Sequence, residues 1–447
     1  MTPAARIEAA IELLGRIDAE VAPAERVMAR YLRERRYIGS KDRRALGDLA
    51  YRVLRARARL DWWLERIGPG PGDGLVRPRR SVLAALLLID GRTPETLAAL
   101  FDGGTYHPAP LDPDERVLAD ALAGRSLTDL EQPAWVAAEC PEWLWPEFVE
   151  AFGAGAEAEL GALMGEASLD LRVNTLKGER AAARTALAEE GIETAPTPLS
   201  PLGLRAAGRP GLSAGRAYET GLVEIQDEGS QVVALVTDAR PGMVVLDFCA
   251  GAGGKTLALA ATMDNRGRLT ALDVDQRRLD RAAGRLKRAG VGNVERHRLD
   301  DEAWLARHAG GFNRVLVDAP CSGTGAWRRQ PDARWRLTPE TLEGYRATQA
   351  RILAQAAPLV AGGGRLIYAT CALLPSENRR QVEAFLAARP DFSLLPAEAV
   401  WAETMVPAGA AAAPEPAPFL GPYLLLTPAR HGTDGFFAAI LERRKRP

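Results

Sequence analysis

Apolar residues at Ile7, Ala10, Ile11 and Leu14, and again at Leu46, Leu49, Ala50, Val53 and Leu54, recur three and four apart. That spacing lines one face of a helix. The run Val82 to Ile89 is apolar on every side and predicts a central core helix within the same N-terminal region, while GPGPG at 68–72 breaks the pattern. From about 133 to 168 helical spacing continues, and LRVNTL (171–176) is the first convincing strand. Between 169 and 225, strands, a helix near Ala181 to Glu190 and Pro/Gly turns alternate in the manner of a small α/β module. The texture changes again near 240. The β-rich runs MVVLDF (243–248), RLTALD (268–273), NRVLVD (313–318) and GRLIYAT (364–370) are separated by amphipathic stretches such as 276–289 and 340–361. Strands alternating with helices predict a parallel, doubly wound sheet. AAAAPEPAP (410–418) is low-complexity and predicts a surface loop.

Composition narrows the class. The 447 residues suggest about three domains, and 47% hydrophobic with 26% charged residues is ordinary for a globular chain. The longest apolar run, Val82 to Ile89, is far shorter than the roughly 20 residues of a membrane-spanning helix. The opening MTPAARIEAAIELL lacks the basic and then apolar regions of a signal peptide. Cysteines at 140, 249, 321 and 371 are too far apart for a zinc knuckle or a C-x-x-C pair, so free thiols, no metal and a cytoplasmic location are expected.

The net charge of −1 hides a segregation. From Arg26 to Arg59 there are twelve Arg/Lys against three Asp/Glu, whereas Thr93 to Ser168 holds two against fifteen. The basic stretch suits either a solvated helical face or a nucleic-acid surface. Only five residues are lysine, so Lys255 inside a glycine-rich turn is informative.

In a doubly wound sheet, ligands sit beyond the carboxyl ends of the strands. After MVVLDF comes Cys249-Ala250-Gly251-Ala252-Gly253-Gly254-Lys255-Thr256, a turn that lets a ligand approach backbone at a helix N-terminus. It is neither a P-loop nor G-x-G-x-x-G. Asp273 ends the next strand, where a carboxylate can accept hydrogen bonds from ribose hydroxyls, and Asp300 follows NVERHRL with Asp301 as the competing choice for an adenine contact. The sharpest signal is Asp318-Ala-Pro-Cys321-Ser-Gly-Thr-Gly325 together with Thr370-Cys371. Two cysteines ending two strands of one sheet are expected to converge at the cleft mouth and to favour thiol chemistry.

These motifs resemble the RNA 5-methylcytosine methyltransferases of the RsmB/NOP/NSUN family, closest to the bacterial RsmB branch. LRVNTLK (171–177), EIQDEGSQ (224–231), LDFCAGAGGKT, ALDVD, DAPCSGTG, YATCALLPSEN (368–378) and TDGFFAAIL (433–441) occur in the family's order. One departure is Gly251-Ala252, where many relatives have Ala-Pro. The resemblance implies an all-helical NusB-like RNA-binding domain over 1–132, linker helices with a small RNA-recognition-like α/β module over 133–232, and a Rossmann-like class I methyltransferase domain over 233–447. It implies S-adenosyl-L-methionine as cofactor, held by Cys249 to Lys255 with Asp273, Asp300 and Asp318. It also implies RNA, in particular 16S ribosomal RNA, as partner, with no membrane and a monomeric chain.

Cytosine C5 is a poor nucleophile, and a thiolate adding to C6 makes it an enamine carbon; a base must then remove the C5 proton to expel the enzyme. The resemblance assigns the nucleophile to Cys371 and elimination to Cys321, with Asp318 on the cytosine N3/N4 edge and Lys255 tuning the thiolate or orienting the base. Arg172 and Asn174 are secondary candidates for ligand or RNA contacts. A non-catalytic RNA-binding ribosome-assembly factor is the alternative. A nicotinamide-dependent oxidoreductase would need the G-x-G-x-x-G turn that is absent.

Overall fold

The computed structural model describes residues 1–68, 70–74, 76–212, 215–299 and 302–445. The chain forms two compact units: residues 1–165 with 327–338, and 166–326 with 339–447.

The first unit is helical. Helix Pro3–Ala19 starts on Thr2, whose side chain accepts from the Ala5 amide, and helix Pro113–Leu122 starts on a capping box between Asp112 and Glu115. Helix Val76–Leu88 is buried along Val82 to Leu88, as its all-apolar run predicts, and packs in one core with Leu14, Val53, Trp63 and Leu122. Residues 327–338 belong to this core region although they follow the cysteine loop in sequence. Arg334 is fully buried there, lies 5.0 Å from the Trp327 ring and donates from Nη1 to the Glu139 carbonyl at 2.8 Å. Asp332 accepts from the Ala24 amide at 3.0 Å.

The second unit contains two sheets. Strands β1 (Asp170–Val173), β2 (Thr194–Pro196), β3 (Gly203–Ala206) and β4 (Val223–Ile225) pair antiparallel in the order β2-β3-β1-β4. Helix Arg180–Glu189 lies between β1 and β2 in sequence and helix Arg216–Glu219 between β3 and β4, giving the split βαβ connectivity of ferredoxin-like folds.

The larger sheet begins with β5 (Val244–Asp247), β6 (Arg268–Asp273), β7 (Val294–Arg298), β8 (Phe312–Asp318) and β9 (Val360–Thr370), all parallel to their neighbours within this group. The order within this group is β9-β8-β5-β6-β7. The chain runs outward from β5 through β6 and β7, then returns to place β8 on the other side of β5, so the topological switch point lies between β5 and β8. Helix Gln276–Ala289 has the bounds its periodicity predicts: Asp275 caps its start, Lys287 and Arg288 sit in its last turn, and Gly290 ends it at φ +73°.

The expectation of a parallel sheet holds for β5 to β9 only. Strands β10 (Phe392–Leu395), β11 (Phe419–Leu420), β12 (Tyr423–Leu426) and β13 (Phe436–Arg443) extend it antiparallel, with β13 paired along β9 from Phe437–Thr370 to Glu442–Arg365. Both faces of β13 are buried, so its apolar run FFAAIL carries no alternation to mark it as a strand. Residues 410–418 form an irregular, mostly exposed loop. Among the described residues, no helix is long and apolar enough to cross a membrane.

Candidate active site

At the switch point, β5 and β8 part and leave a cavity of 750 Å³ at their carboxyl ends, lined by the loop Cys249 to Lys255, Asp273, Asp318, Cys321 and one face of helix Pro339–Ala356. Its size falls in the range of cofactor sites.

The glycine-rich turn is built from backbone geometry. Gly251 and Gly253 have φ of +55° and +83°, the left-handed region, and Gly253 caps helix Gly254–Thr262. A Cβ on Gly253 would stand 3.0 Å from that of Ala282, whereas one on Gly251 would meet nothing within 4 Å. Asp273 fixes the turn from below: its Oδ2 accepts from the Gly251 amide at 2.9 Å and its Oδ1 from the Asp275 amide at 2.8 Å. Arg285 donates to the Ala252 carbonyl at 2.7 Å.

Lys255 reaches across from the first turn of that helix to Asp318 at the end of β8, with Nζ 2.6 Å from Oδ2. Burial alone would push the Lys255 ammonium down, but the Asp318 charge and hydrogen bond outweigh it and hold the group above the ordinary lysine value. Below this pair, Asp247 ends β5 fully buried. Its Oδ2 accepts from Thr256 Oγ1 at 2.7 Å, and its Oδ1 has no partner. Burial pushes its carboxyl up to about 7, against the pull of the Thr256 hydrogen bond.

Cys321 and Cys371 meet with their sulfurs 3.4 Å apart. Both are half-buried. The Cys321 thiol is held well above the ordinary cysteine value by its contact with Cys371, then by burial and by the nearby charges of Cys371 and Glu377. The loop after Cys321 folds back onto Cys371: the Gly325 amide donates to the Cys371 carbonyl at 2.9 Å, and the Gly435 amide donates to the Gly325 carbonyl at 2.8 Å. A Cβ on Gly325 would stand 2.4 Å from the Gly435 carbonyl oxygen, so only glycine allows DAPCSGTG and TDGFF to approach this closely.

The structure therefore brings Cys249, Ala250, Gly251, Ala252, Gly254, Lys255, Asp273, Asp318 and Cys321 to one cavity wall, with Gly253 at its helix cap and Cys371 against Cys321. Asp300 and the competing Asp301 lie outside the described residues. The secondary candidates fall elsewhere. Asn174 is buried and its amide nitrogen is committed to the carbonyls of Gly221 and Ala289, which makes it a structural brace. Arg172 is buried too and donates to Gln226 Oε1 at 2.6 Å; Gln226 itself lines the cavity. Sequence reasoning missed Asp247, Gln226 and Glu377. Asp247 was findable as the acidic end of β5; Gln226 directly follows β4 in the small sheet, outside the doubly wound sheet to which the carboxyl-end rule was applied, and Glu377 stands in a motif at no strand end.

A protein from Synechocystis named probable ribosomal RNA small subunit methyltransferase B is 31% identical over 418 residues, covering 90% of this chain and 91% of that one. A family model described as 16S rRNA methyltransferase RsmB/F matches residues 234–442, and one described as an RsmF/B-like ferredoxin-like domain matches 140–209. The chain belongs to the RsmB/F family. Ribosomal RNA small subunit methyltransferase B of Citrobacter koseri is a further RsmB/F relative, 29% identical and covering 80% of this chain and 85% of its own length. Among solved structures, that of PH0851 is similar over 99% of both chains, with a TM-score of 0.76 and 26% identity. A methyltransferase homolog from Pyrococcus horikoshii is 26% identical with a TM-score of 0.58, covering 69% of this chain and 97% of its own. The RsmB/F match spans the large sheet and every described site residue discussed above from Asp247 onward.

Proposed function

We propose that the chain transfers a methyl group from S-adenosyl-L-methionine to C5 of a cytosine in RNA, in 16S ribosomal RNA on the names its RsmB/F relatives carry. The observation that carries this reading is the pair of half-buried sulfurs 3.4 Å apart beside the Lys255–Asp318 ion pair.

The residues present fit the cofactor. The cavity has the volume, Asp273 and Asp318 supply acceptors at two strand ends, the Gly251 position leaves open space over the backbone, and Asp247 Oδ1 is an orphaned buried acceptor. Cys249 to Lys255 with Asp273, Asp318 and Asp300 would hold it. When bound, S-adenosyl-L-methionine supplies the electrophilic methyl group that C5 accepts.

The chain's own groups do the rest. Cys371 adds to C6 of the base as the thiolate and pushes electron density onto C5. Asp318 hydrogen-bonds the N3/N4 edge as it gains a proton, with Lys255 fixing the carboxylate's position through its 2.6 Å contact. Cys321, having released its own proton to solvent, then takes the C5 proton as the thiolate; the C5 electron pair reforms the double bond, Cys371 leaves C6 as the thiolate, and the N3 edge gives up the proton it had gained, so the aromatic base returns. The contact with Cys371 and burial hold the Cys321 thiol well above its ordinary value, so its thiolate is a strong base for the C5 proton.

Along the chain, 1–132 would contact RNA, 133–232 would add the small module and 233–447 would carry the transfer, within a cytoplasmic monomer. Methyl transfer from labelled S-adenosyl-L-methionine to ribosomal RNA, followed by bisulfite sequencing, tests this. Label that appears at a base other than cytosine would contradict it.

A further inference from the structure

The segment YATCALLPSEN places two polar residues, Glu377 and Asn378, seven and eight residues beyond the end of β9. Both are buried, at 0% and 4% exposure, in a turn whose business is with the flanks of the two thiols. Glu377 Oε1 accepts from the Ser322 amide at 2.8 Å and from Gln349 Nε2 at 3.0 Å, and its Oε2 accepts from Ser322 Oγ. Gln349 also donates to the Pro320 carbonyl at 3.0 Å. The residues on both sides of Cys321 are therefore held by one carboxylate and one amide. Asn378 acts on the other side: its Oδ1 accepts from Thr370 Oγ1 at 2.6 Å and its Nδ2 donates to the Ala372 carbonyl at 2.9 Å, so it clamps the residues on both sides of Cys371.

A buried carboxylate needs a reason, because burial of charge is costly unless every lone pair is matched. Tyr368 anchors this turn by donating to the Glu377 backbone carbonyl at 2.6 Å. The turn is closed with hydrogen bonds to the residues that flank each thiol.

We propose that Glu377 and Asn378 are positioning residues with separate charges: Glu377 sets Cys321 for proton removal, and Asn378 sets Cys371 for attack. This rests on the cysteine roles proposed above. Around Cys321 the titratable and charged groups are Cys371, Tyr368 and Glu377 from β9 and the turn after it, Asp318 from β8 and Lys255 from helix Gly254–Thr262. Tyr345 and Arg351 of helix Pro339–Ala356 line the same cavity. Of these, Glu377 is the carboxylate that raises the Cys321 thiol, so loss of its charge makes that thiol more acidic and moves its ionisation to lower pH.

Asn378→Asp keeps shape while spoiling its clamp, because a carboxylate oxygen cannot donate to the Ala372 carbonyl; Glu377→Ala removes the contacts to Ser322 and Gln349, whereas Glu377→Gln keeps them through its amide and removes only the charge. With RNA and S-adenosyl-L-methionine, and with signal normalised to folded protein, E377A should raise the heat- and detergent-resistant protein–RNA band several-fold over wild type. N378D should lower that band and the methylated product together. The pH midpoint for release of the E377Q adduct should move to lower pH, which a purely structural brace would leave in place. Equal effects of E377A and N378D on the band, no rise in E377A, or an unmoved midpoint in E377Q would each overturn the assignment. C321A and C371A run alongside locate the failure: if C321A traps no adduct, the cysteine roles themselves are wrong.

Discussion

Lys255 Nζ and Asp318 Oδ2 stand 2.6 Å apart, joining the helix that follows β5 to the end of β8 across the switch point. The lysine side chain is 9% exposed and the aspartate 31%. Removing either partner leaves the other poorly solvated; because Asp318 keeps some water, the cost is on the order of 1–3 kcal/mol, below that of a fully buried pair. Lys255→Met and Asp318→Asn should each destabilise by that amount, and the double variant by less than the two together. Urea unfolding of the four proteins gives the coupling energy, expected at about 1 kcal/mol or more. Strict additivity would mean that the pair contributes nothing to the folded state.

Asp247 predicts a pH dependence. Its carboxyl is raised to about 7 in the folded protein from 3.8. Between those values the folded chain keeps a proton that the unfolded chain has released, so this contribution is fully present below about pH 4 and is lost as pH rises through about 7. The slope is at most about 1.4 kcal/mol per pH unit. Asp247→Asn retains an acceptor for Thr256 and should flatten that part of the profile. Melting curves of both proteins without cofactor, from pH 4.5 to 8, check this; parallel profiles would remove Asp247 as the source.

Asp273 holds the glycine turn through the amides of Gly251 and Asp275. Asp273→Ala should weaken S-adenosyl-L-methionine binding about tenfold to a hundredfold, corresponding to the loss of about 1.5–3 kcal/mol in charged hydrogen bonds, without unfolding the domain. Calorimetric titration measures it. Binding at wild-type strength would exclude Asp273 from the cofactor site.

The basic stretch resolves into committed and available arginines. Arg35 lies 3.9 Å from the Tyr31 ring and pairs with Glu12 and Glu34, so its charge serves the helical unit. Arg33 and Arg36 are exposed. Replacing both with alanine should reduce the salt slope of RNA binding by about one to two units, since each phosphate contact contributes roughly 0.7–0.9. Arg35→Ala should act mainly on melting temperature. Filter binding across salt concentrations separates the two effects, and a larger slope change from Arg35→Ala would reverse the assignment.

Much of this fold was legible because local signals agreed. The strands β5, β6, β8 and β9 stand within a few residues of their apolar runs, and Asp275 and Gly290 mark the ends of their helix unambiguously. The carboxyl-end rule then gathered Lys255, Asp273, Asp318 and the cysteines from residues up to about 120 positions apart. What was hidden depends on tertiary partners. Nothing in WRRQPDARWRL (327–337) marks its place in the fold, where Arg334 is buried against Trp327 and the Glu139 carbonyl in the helical unit. Asn174 reads as a ligand contact, yet two backbone carbonyls from distant segments claim it. Glu377 stands in a loop motif, and only the fold shows that it meets the Ser322 amide.

The division of labour between the thiols is the central claim, and denaturing gel electrophoresis with RNA and S-adenosyl-L-methionine tests it most directly. The nucleophile acts before methyl transfer and the eliminating group after it, so only loss of the second strands an intermediate. Cys321→Ala should give a protein–RNA band resistant to heat and detergent, carrying the transferred methyl, and Cys371→Ala should give neither band nor product. A band from Cys371→Ala but not from Cys321→Ala would exchange the roles, and methylation intact in both variants with no band in either would contradict the thiol mechanism.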